Sequence, residues 1–297
     1  NVSKKEHIEQ LLQFLRSDTE NTLELEFEKG IYFGDNKRVD MCNQVLGPNL
    51  IGDFLEALKQ NSQTDHILIG NNITGSVGAD KISEFITDKQ KKHDIETWYI
   101  GGNHFTGKDI KKIVNALRND TVCKSLWLKR NPIKDLGINQ LGDMLNTNKT
   151  IELLDLHNTG LLDVGVNCFF GWLRSNSTLK HLYLGANGIT PLGALYISDY
   201  IKTKNDQKQE GIVSLWIDVN RIGNEGAGYL SDALISDQYL QRLYLGSNRI
   251  EGYGIKQLCN ALSNHPKLTV LDFGMPKATA DLHELPNMMK NDGATHI

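Results

Sequence analysis

Asp155, His157, His181 and Asp218 fall on three consecutive turns of a regular sequence pattern, and imidazoles beside carboxylates are the residue types of a metal centre or an acid/base pair. Nothing completes either chemistry: no nucleophile, Gly-rich loop or second carboxylate pair accompanies them, so they read as solvated surface side chains. A second candidate is GNHFTGKD, Gly102 to Asp109, which fits the GxxxxGK spacing of a phosphate-binding loop and lies between a strand and a helix. Asp109 stands where a Ser or Thr would ligate magnesium, and its carboxylate would repel phosphate. Nucleotide binding is not expected there.

A repeating unit must position all of these side chains. It begins at Ile95, Cys123, Ile151 and Leu179, every 28 residues, resumes at Ile212 after five extra residues, and continues at Leu240 and Leu268. Apolar residues fall at positions 1, 4 and 6 of the unit and Asn usually at position 9, as in CKSLWLKRNPI from Cys123 and LQRLYLGSNRI from Leu240. Alternation over positions 4 to 6 is that of a half-buried strand, and the rest of the unit has the 3.6 period of a helix. Gly137, Gly165, Gly193, Gly226 and Gly254, six residues past position 9, open the helical runs. Neither element can bury its apolar face alone; stacked neighbours must do it, which makes the chain a solenoid.

Position 9 holds Asn103, Asn131, Asn187, Asn220 and Asn248, where the chain leaves the strand with unpaired backbone groups. A buried amide both donates and accepts, so this row is expected to be structural. Position 5 is the outward centre of each strand and reads Glu26, Leu68, Tyr99, Trp127, Asp155, Tyr183, Trp216, Tyr244 and Asp272. With strands about 4.8 Å apart, the aromatics should form a nearly continuous ladder, flanked by Lys129, Arg130, His157, His181, Asp218 and Arg242. Aromatic residues favour strands in any case, yet a solvated sheet face has no folding need of two tryptophans, and Trp and Tyr beside Arg are what binding hot spots are made of. The aromatics from Tyr99 to Tyr244, Asp155 and the flanking residues are therefore the expected partner-binding surface.

The pattern resembles the leucine-rich repeat, LxxLxLxxN/CxL, in the longer ribonuclease-inhibitor-like form that also occurs in Ran GTPase-activating proteins and NLR receptors. The resemblance covers roughly residues 22 to 290, with Thr159 and Pro276 replacing Asn and Trp98 at a Leu position as departures. It implies an α/β solenoid, a right-handed βα horseshoe with a parallel concave sheet and outer helices, and binding on the concave face. The implied function is a non-catalytic module holding a protein partner, as a cytosolic adaptor or inhibitor or as a bacterial effector in a host cell. The alternative is a GTPase-activating or otherwise catalysis-assisting protein, although the repeat motif maps no activating residue onto this chain.

Composition narrows the class further. Against 36 acidic residues there are 32 basic ones, a net charge of -4 without a long basic run, which argues against nucleic acid. No apolar stretch approaches the roughly 18 residues of a membrane span, and NVSKKEHIEQ at the start carries no signal-peptide core. Cys42, Cys123, Cys168 and Cys259 lack metal spacing and mostly sit at core positions, so they read as free thiols of a reducing, cytoplasmic compartment. Asn72 lies in a glycosylation sequon but also in the expected asparagine row, where no glycan would fit. A monomer without metal or cofactor is expected.

Three stretches complete the organisation. Ile8, Leu11, Leu12 and Leu15 share a helical face, so 1–21 reads as an N-terminal helical cap, ahead of repeats over 22–267. LELEFE from Leu23 alternates as the first repeat strand, with Glu24, Glu26 and Glu28 outward, and from Phe27 to Ile69 is 42 residues, which implies a 14-residue insertion within 28–48. The five residues added near 202–211 read as a solvated loop. The last unit, 268–297, loses its Asn and has Pro286 in its helical stretch, as a degenerate terminal cap would.

Overall fold

The computed structural model describes residues 2–90 and 93–288, and the chain divides into two compact units, 1–153 and 154–297. In the first, α1 (Lys5–Ser17) precedes β1 (Glu24–Glu26), β2 (Ile31–Phe33), a 3-10 turn (Gly34–Asn36) and β3 (Arg38–Asp40). Strand and helix then alternate: α2 (Gly47–Leu58), β4 (His66–Leu68), α3 (Gly75–Ile86), β5 (Thr97–Tyr99), α4 (Gly107–Leu117), β6 (Ser125–Trp127) and α5 (Lys134–Thr147). From β3 to β6 the strands are parallel and in register, which sets Val39, Ile67, Trp98 and Leu126 side by side. All four are fully buried. Such a row is what period-2 alternation with helices on one side produces, each side chain contributing about 1.5–3 kcal/mol by leaving water.

LELEFE is not the first rung of the repeat. β1 pairs antiparallel with β2, Leu25 opposite Tyr32, and β2 pairs antiparallel with β3. The first parallel rung is β3, whose buried Val39 and Met41 stand 28 residues before Ile67 and Ile69. Segment 28–48 thus carries a repeat strand and no insertion. Its register is hard to read because polar Asn36 and Gln44 occupy positions 1 and 9. Glu26 accordingly leaves the position-5 series and Asp40 enters it, while Leu23, read as inward, is 68% exposed. On α1 the face of Ile8, Leu11, Leu12 and Leu15 is buried, and Phe14 packs on Phe27 and Tyr32 with ring centroids 5.5 and 4.8 Å away.

The second unit contains β7 (Leu153–Asp155), α6 (Leu162–Leu173), β8 (His181–Tyr183), α7 (Pro191–Asp206), β9 (Ser214–Trp216), α8 (Gly223–Leu234), β10 (Arg242–Tyr244), α9 (Gly252–Leu262), β11 (Val270–Asp272) and the short α10 (Ala278–Asp281). β8 to β11 are parallel and again in chain order. The helix-opening glycines set the helix spacing: a Cβ on Gly226 would lie 3.0 Å from that of Ala194, and one on Gly254 3.1 Å from that of Ala227. The five extra residues differ from expectation, because 202–206 continue α7 as helix and only the turn beyond, with Lys208 left-handed at φ 54°, is irregular.

Every asparagine of the position-9 row is buried. Asn131 shows why: its oxygen accepts from Asn103 N and Phe105 N at 2.9 and 3.1 Å, and its amide donates to the carbonyls of Ile100 and Leu128 at 3.1 and 2.9 Å. One side chain thus ties the strand exit of its own turn to that of the preceding one. Asn72 belongs to the row too, donating to Met41 O and Gly70 O, so its sequon nitrogen is already spent. Asn248 engages only its donors, to Ile217 O and Leu245 O, and its Oδ1 makes no hydrogen bond.

The last turn recovers the asparagine that Pro276 displaces. Asn287 accepts from Asn248 N and Ile250 N, both at 2.9 Å, and donates to Leu245 O and Phe273 O at 2.8 and 3.1 Å, the bonding pattern of Asn131 supplied from a different place in the chain. Glu284, three residues earlier, bridges Arg221 and Arg249 and helps hold that segment in place. Asn287→Ala is expected to cost about 2 kcal/mol and to speed amide exchange at Asn248 and Ile250. Unchanged exchange at both amides would exclude Asn287 from the row.

A second polar row closes the helix-to-strand turns. Asp120 accepts from Val122 N and Cys123 N, Asn148 from Thr150 N and Ile151 N, and Asn176 from Thr178 N and Leu179 N. His93 Nε2 lies 3.0 Å from Asp120 Oδ1, and His265 Nε2 3.0 Å from Asp237 Oδ2, all four side chains buried. Burial works against ionisation of Asp120, but its bonds with His93, Cys123 and Val122 outweigh that and hold the carboxyl below its usual range. A carboxyl depressed by folding stabilises above its unfolded pKa, and this contribution is lost as pH falls through the folded one. Asp120→Asn keeps an acceptor for the two N–H groups without titrating, so its melting temperature should fall less steeply than that of wild type below about pH 4. Parallel melting curves would count against this role.

Candidate functional site

The strand faces opposite the helices carry the position-5 side chains, which gather in one cluster in each unit. In the first, Tyr99 and Trp127 are half-buried neighbours, ring centroids 5.9 Å apart and tilted by 37°. Lys129 Nζ sits 4.9 Å from the Tyr99 centroid, a cation–π contact within the chain. Gly70 makes room for this: a Cβ there would meet Tyr99 Cε1 at 2.5 Å. Arg130 is exposed on a left-handed residue, φ 58°, at the strand exit. Arg38, His66 and Leu68 line the same shallow hollow of about 270 Å³ as the two rings. Arg38 escaped the sequence reading because β3 was out of register, whereas His66 lies on a strand read in register and was not singled out.

The second unit holds a different arrangement. Tyr183 and Trp216 stack with centroids 3.9 Å apart and planes 10° from parallel, and Trp216 and Tyr244 follow at 4.8 Å and 9°. Register explains it, since Tyr183, Trp216 and Tyr244 are directly paired along β8, β9 and β10. Arg242 donates to Ser214 Oγ at 3.3 Å and so lies along the sheet. Burial, then the charges of Asp155 and Tyr244, push the Tyr183 hydroxyl above its ordinary pKa.

Within the Asp/His group, one side chain serves a backbone turn and one pair lies close together. Asp155 is 3% exposed, and its carboxylate accepts the backbone N–H of His157 at 2.8 Å, so it serves a turn and presents little to a partner. His157 and Asp218 approach each other across Gly185, where a Cβ would stand 2.5 Å from His157 Nδ1 and 3.1 Å from Asp218 Oδ2. Half-buried His181 opens β8, paired with Ser214. Among the described residues no three His, Cys, Asp or Glu side chains are placed to hold a metal ion. Asp218 is pushed above the usual carboxylate range by burial, against its own backbone N–H and with a further push from Asp272.

The phosphate-loop look-alike is a helix cap. Thr106 and Asp109 form a capping box at the start of α4, Asp109 Oδ2 accepting from Thr106 N at 2.9 Å and Thr106 Oγ1 at 2.7 Å. Burial opposes ionisation of Asp109, yet the Thr106 bonds outweigh it and hold the carboxyl below its usual range, which leaves a fixed negative charge at the helix start where a phosphate would have to sit. Calorimetry with ATP or GTP should therefore show no binding. Micromolar affinity lost in Lys108→Ala would overturn that.

Stacked strand–helix units, an asparagine at nearly every strand exit and a solvent-facing strand face define a repeat scaffold. The chain is a leucine-rich-repeat protein, and a family model described as Leucine Rich repeat matches residues 175–198. Its 28-residue period is compatible with the ribonuclease-inhibitor-like form. No match was found among curated proteins. Similar solved structures include the leucine-rich repeat-containing protein LegL7 from Legionella pneumophila, 15% identical over 80% of this chain and 83% of that one, TM-score 0.48. A chain of the yeast Rad7 and Elc1 complex is 15% identical over 80% of this chain and 69% of its own, TM-score 0.43. The tropomodulin C-terminal domain of Caenorhabditis elegans is 20% identical over 52% and 92%, TM-score 0.41. Among the described residues no helix is long and apolar enough to cross a membrane.

Proposed function

We propose that this protein is a non-catalytic interaction module that grips a folded protein partner on the strand face, acting as a monomer. The stacked Tyr183, Trp216 and Tyr244 carry this reading: three large rings held in parallel on a sheet face are a rigid, amphipathic platform that loses little entropy on binding. Tyr99 and Trp127, with Lys129, Arg130 and Arg38 around them, supply a second, cationic contact zone. The four cysteines are free. Burial pushes the thiol of Cys42 up to about 12 and that of Cys123 higher still, so neither is a nucleophile, which suits a reducing cytosol. An adaptor or inhibitor of that compartment, or a bacterial effector delivered to it, fits these features.

Affinity capture from cytosol with wild type beside a Trp127→Ala/Trp216→Ala double variant tests the reading. A partner retained by wild type and lost by an equally folded double variant is the expected result. Equal retention, or a defect confined to helix-face variants such as Lys111→Glu, would place the contact elsewhere. Candidate GTPases hydrolysing GTP faster in the presence of the chain would replace this function with a catalysis-assisting one.

A further inference from the structure

The two aromatic clusters end differently. Beside Trp127, Tyr99 is topped by the chain's own Lys129. The Tyr183, Trp216, Tyr244 stack instead runs out at β11, where Asp272 is the residue paired with Tyr244 and no cation lies over the Tyr244 ring among the described residues. At that end is an open hollow of about 470 Å³ whose lining includes Trp216, Tyr244, Asp218, Asp272, Met275 and Pro276. Asp218 and Asp272 thus place two carboxylates against an aromatic wall; Asp272 Oδ1 accepts the Gly274 N–H at 2.6 Å, as Asp155 accepts that of His157, but unlike Asp155 it is only half-buried.

From this geometry we infer that the hollow is a subsite for an arginine side chain of the partner protein, its guanidinium stacking on Tyr244 as a fourth layer and pairing with Asp218 and Asp272. The inference rests on the strand face being the partner surface. A planar guanidinium suits the place better than an ammonium, because it can stack on a ring while its N–H groups, in the ring plane, reach carboxylates. The next rung lies about 4.8 Å beyond Tyr244, the centroid distance at which Tyr244 itself follows Trp216 in the stack. Charge complementarity points the same way: Asp272 raises the cost of ionising the sheltered Asp218, and a bound cation removes that penalty. Met275, 63% exposed, adds an apolar edge for the arginine methylenes.

The probe is the blocked tripeptide acetyl-Gly-Arg-Gly-amide, with its lysine and citrulline counterparts, titrated into full-length protein carrying 5-fluorotryptophan. Each indole gives its own fluorine resonance, assigned by single Trp→Phe variants. The Trp216 resonance should shift saturably with the arginine peptide while that of Trp127 stays in place, and citrulline, which keeps shape but loses charge, should bind about tenfold more weakly or worse. Asp218→Asn with Asp272→Asn should abolish the response without lowering the melting temperature. An equal response to citrulline, a preference for lysine, or an undiminished response in the folded double variant would overturn the subsite. The capture experiment separates this from failure of the wider reading: a partner lost by Trp216→Ala, from a protein blind to arginine, refutes the subsite and leaves the aromatic face standing. If capture ignores Trp216→Ala, assignment of the arginine to that partner falls too.

Discussion

Replacing Asn187 by alanine will destabilise the protein by about 3 to 5 kcal/mol, the largest single effect expected from a polar residue in this chain. Asn187 Oδ1 faces the backbone N–H groups of Thr159, Gly160 and Leu161 at 3.0 to 3.2 Å, and its amide nitrogen donates to Leu156 O and Leu184 O at 2.8 and 3.0 Å. The side chain is 2% exposed, so water cannot readily replace it, and a buried group left unpaired costs about 1–3 kcal/mol. Asn187→Asp should be nearly as damaging: a carboxylate can serve the N–H groups but turns an acceptor toward two carbonyls and buries a charge. Thr159 lightens the load on the neighbouring turn only in part, because its hydroxyl donates to Leu156 O but cannot donate twice. Urea unfolding of Asn187→Ala and Asn187→Asp measures both. If either loses less than about 1 kcal/mol, the row does not hold the strand exits together.

Much of this was legible because the repeat puts the same demand at the same position. Leu126, Leu182 and Leu243 at position 4 and Asn131, Asn187 and Asn220 at position 9 each repeat a single local solution, so every copy confirms the others. Legibility failed at the ends, where a turn has only one neighbour. The first rung, at Val39 and Met41, carries polar residues at its outer positions, and the alternating LELEFE beside it is strand-like for a different reason: it forms a hairpin antiparallel to the stack. At the other end, bonding geometry alone identifies Asn287, since a loop of unfixed length brings it to the position that Pro276 vacates. On the strand face, residue types were readable but not how they spend their polar atoms: Asp155 looks like a surface acid and is committed to the His157 amide, a difference that needs coordinates.

Trp216→Ala should weaken partner binding by about 2 kcal/mol or more, roughly thirtyfold, and should also lower stability by about 1 kcal/mol. Both effects stem from its position. Trp216 is sandwiched, Tyr183 at 3.9 Å on one face and Tyr244 at 4.8 Å on the other, so removing it deletes two stacked contacts and lets the flanking rings tilt. The rings then lose the order that makes them a platform, and part of the binding loss is the cost of restoring it. Trp127→Ala removes the tilted contact with Tyr99 at 5.9 Å and should also weaken binding. Trp216→Phe discriminates between ring and platform: a phenyl can still stack, so it should recover most of the stability and only part of the affinity, which also draws on indole area and the N–H donor. Calorimetric titration of the captured partner, alongside melting curves, gives both quantities for each variant. Stability lost in Trp216→Ala with affinity intact would mean that the stack serves the sheet alone.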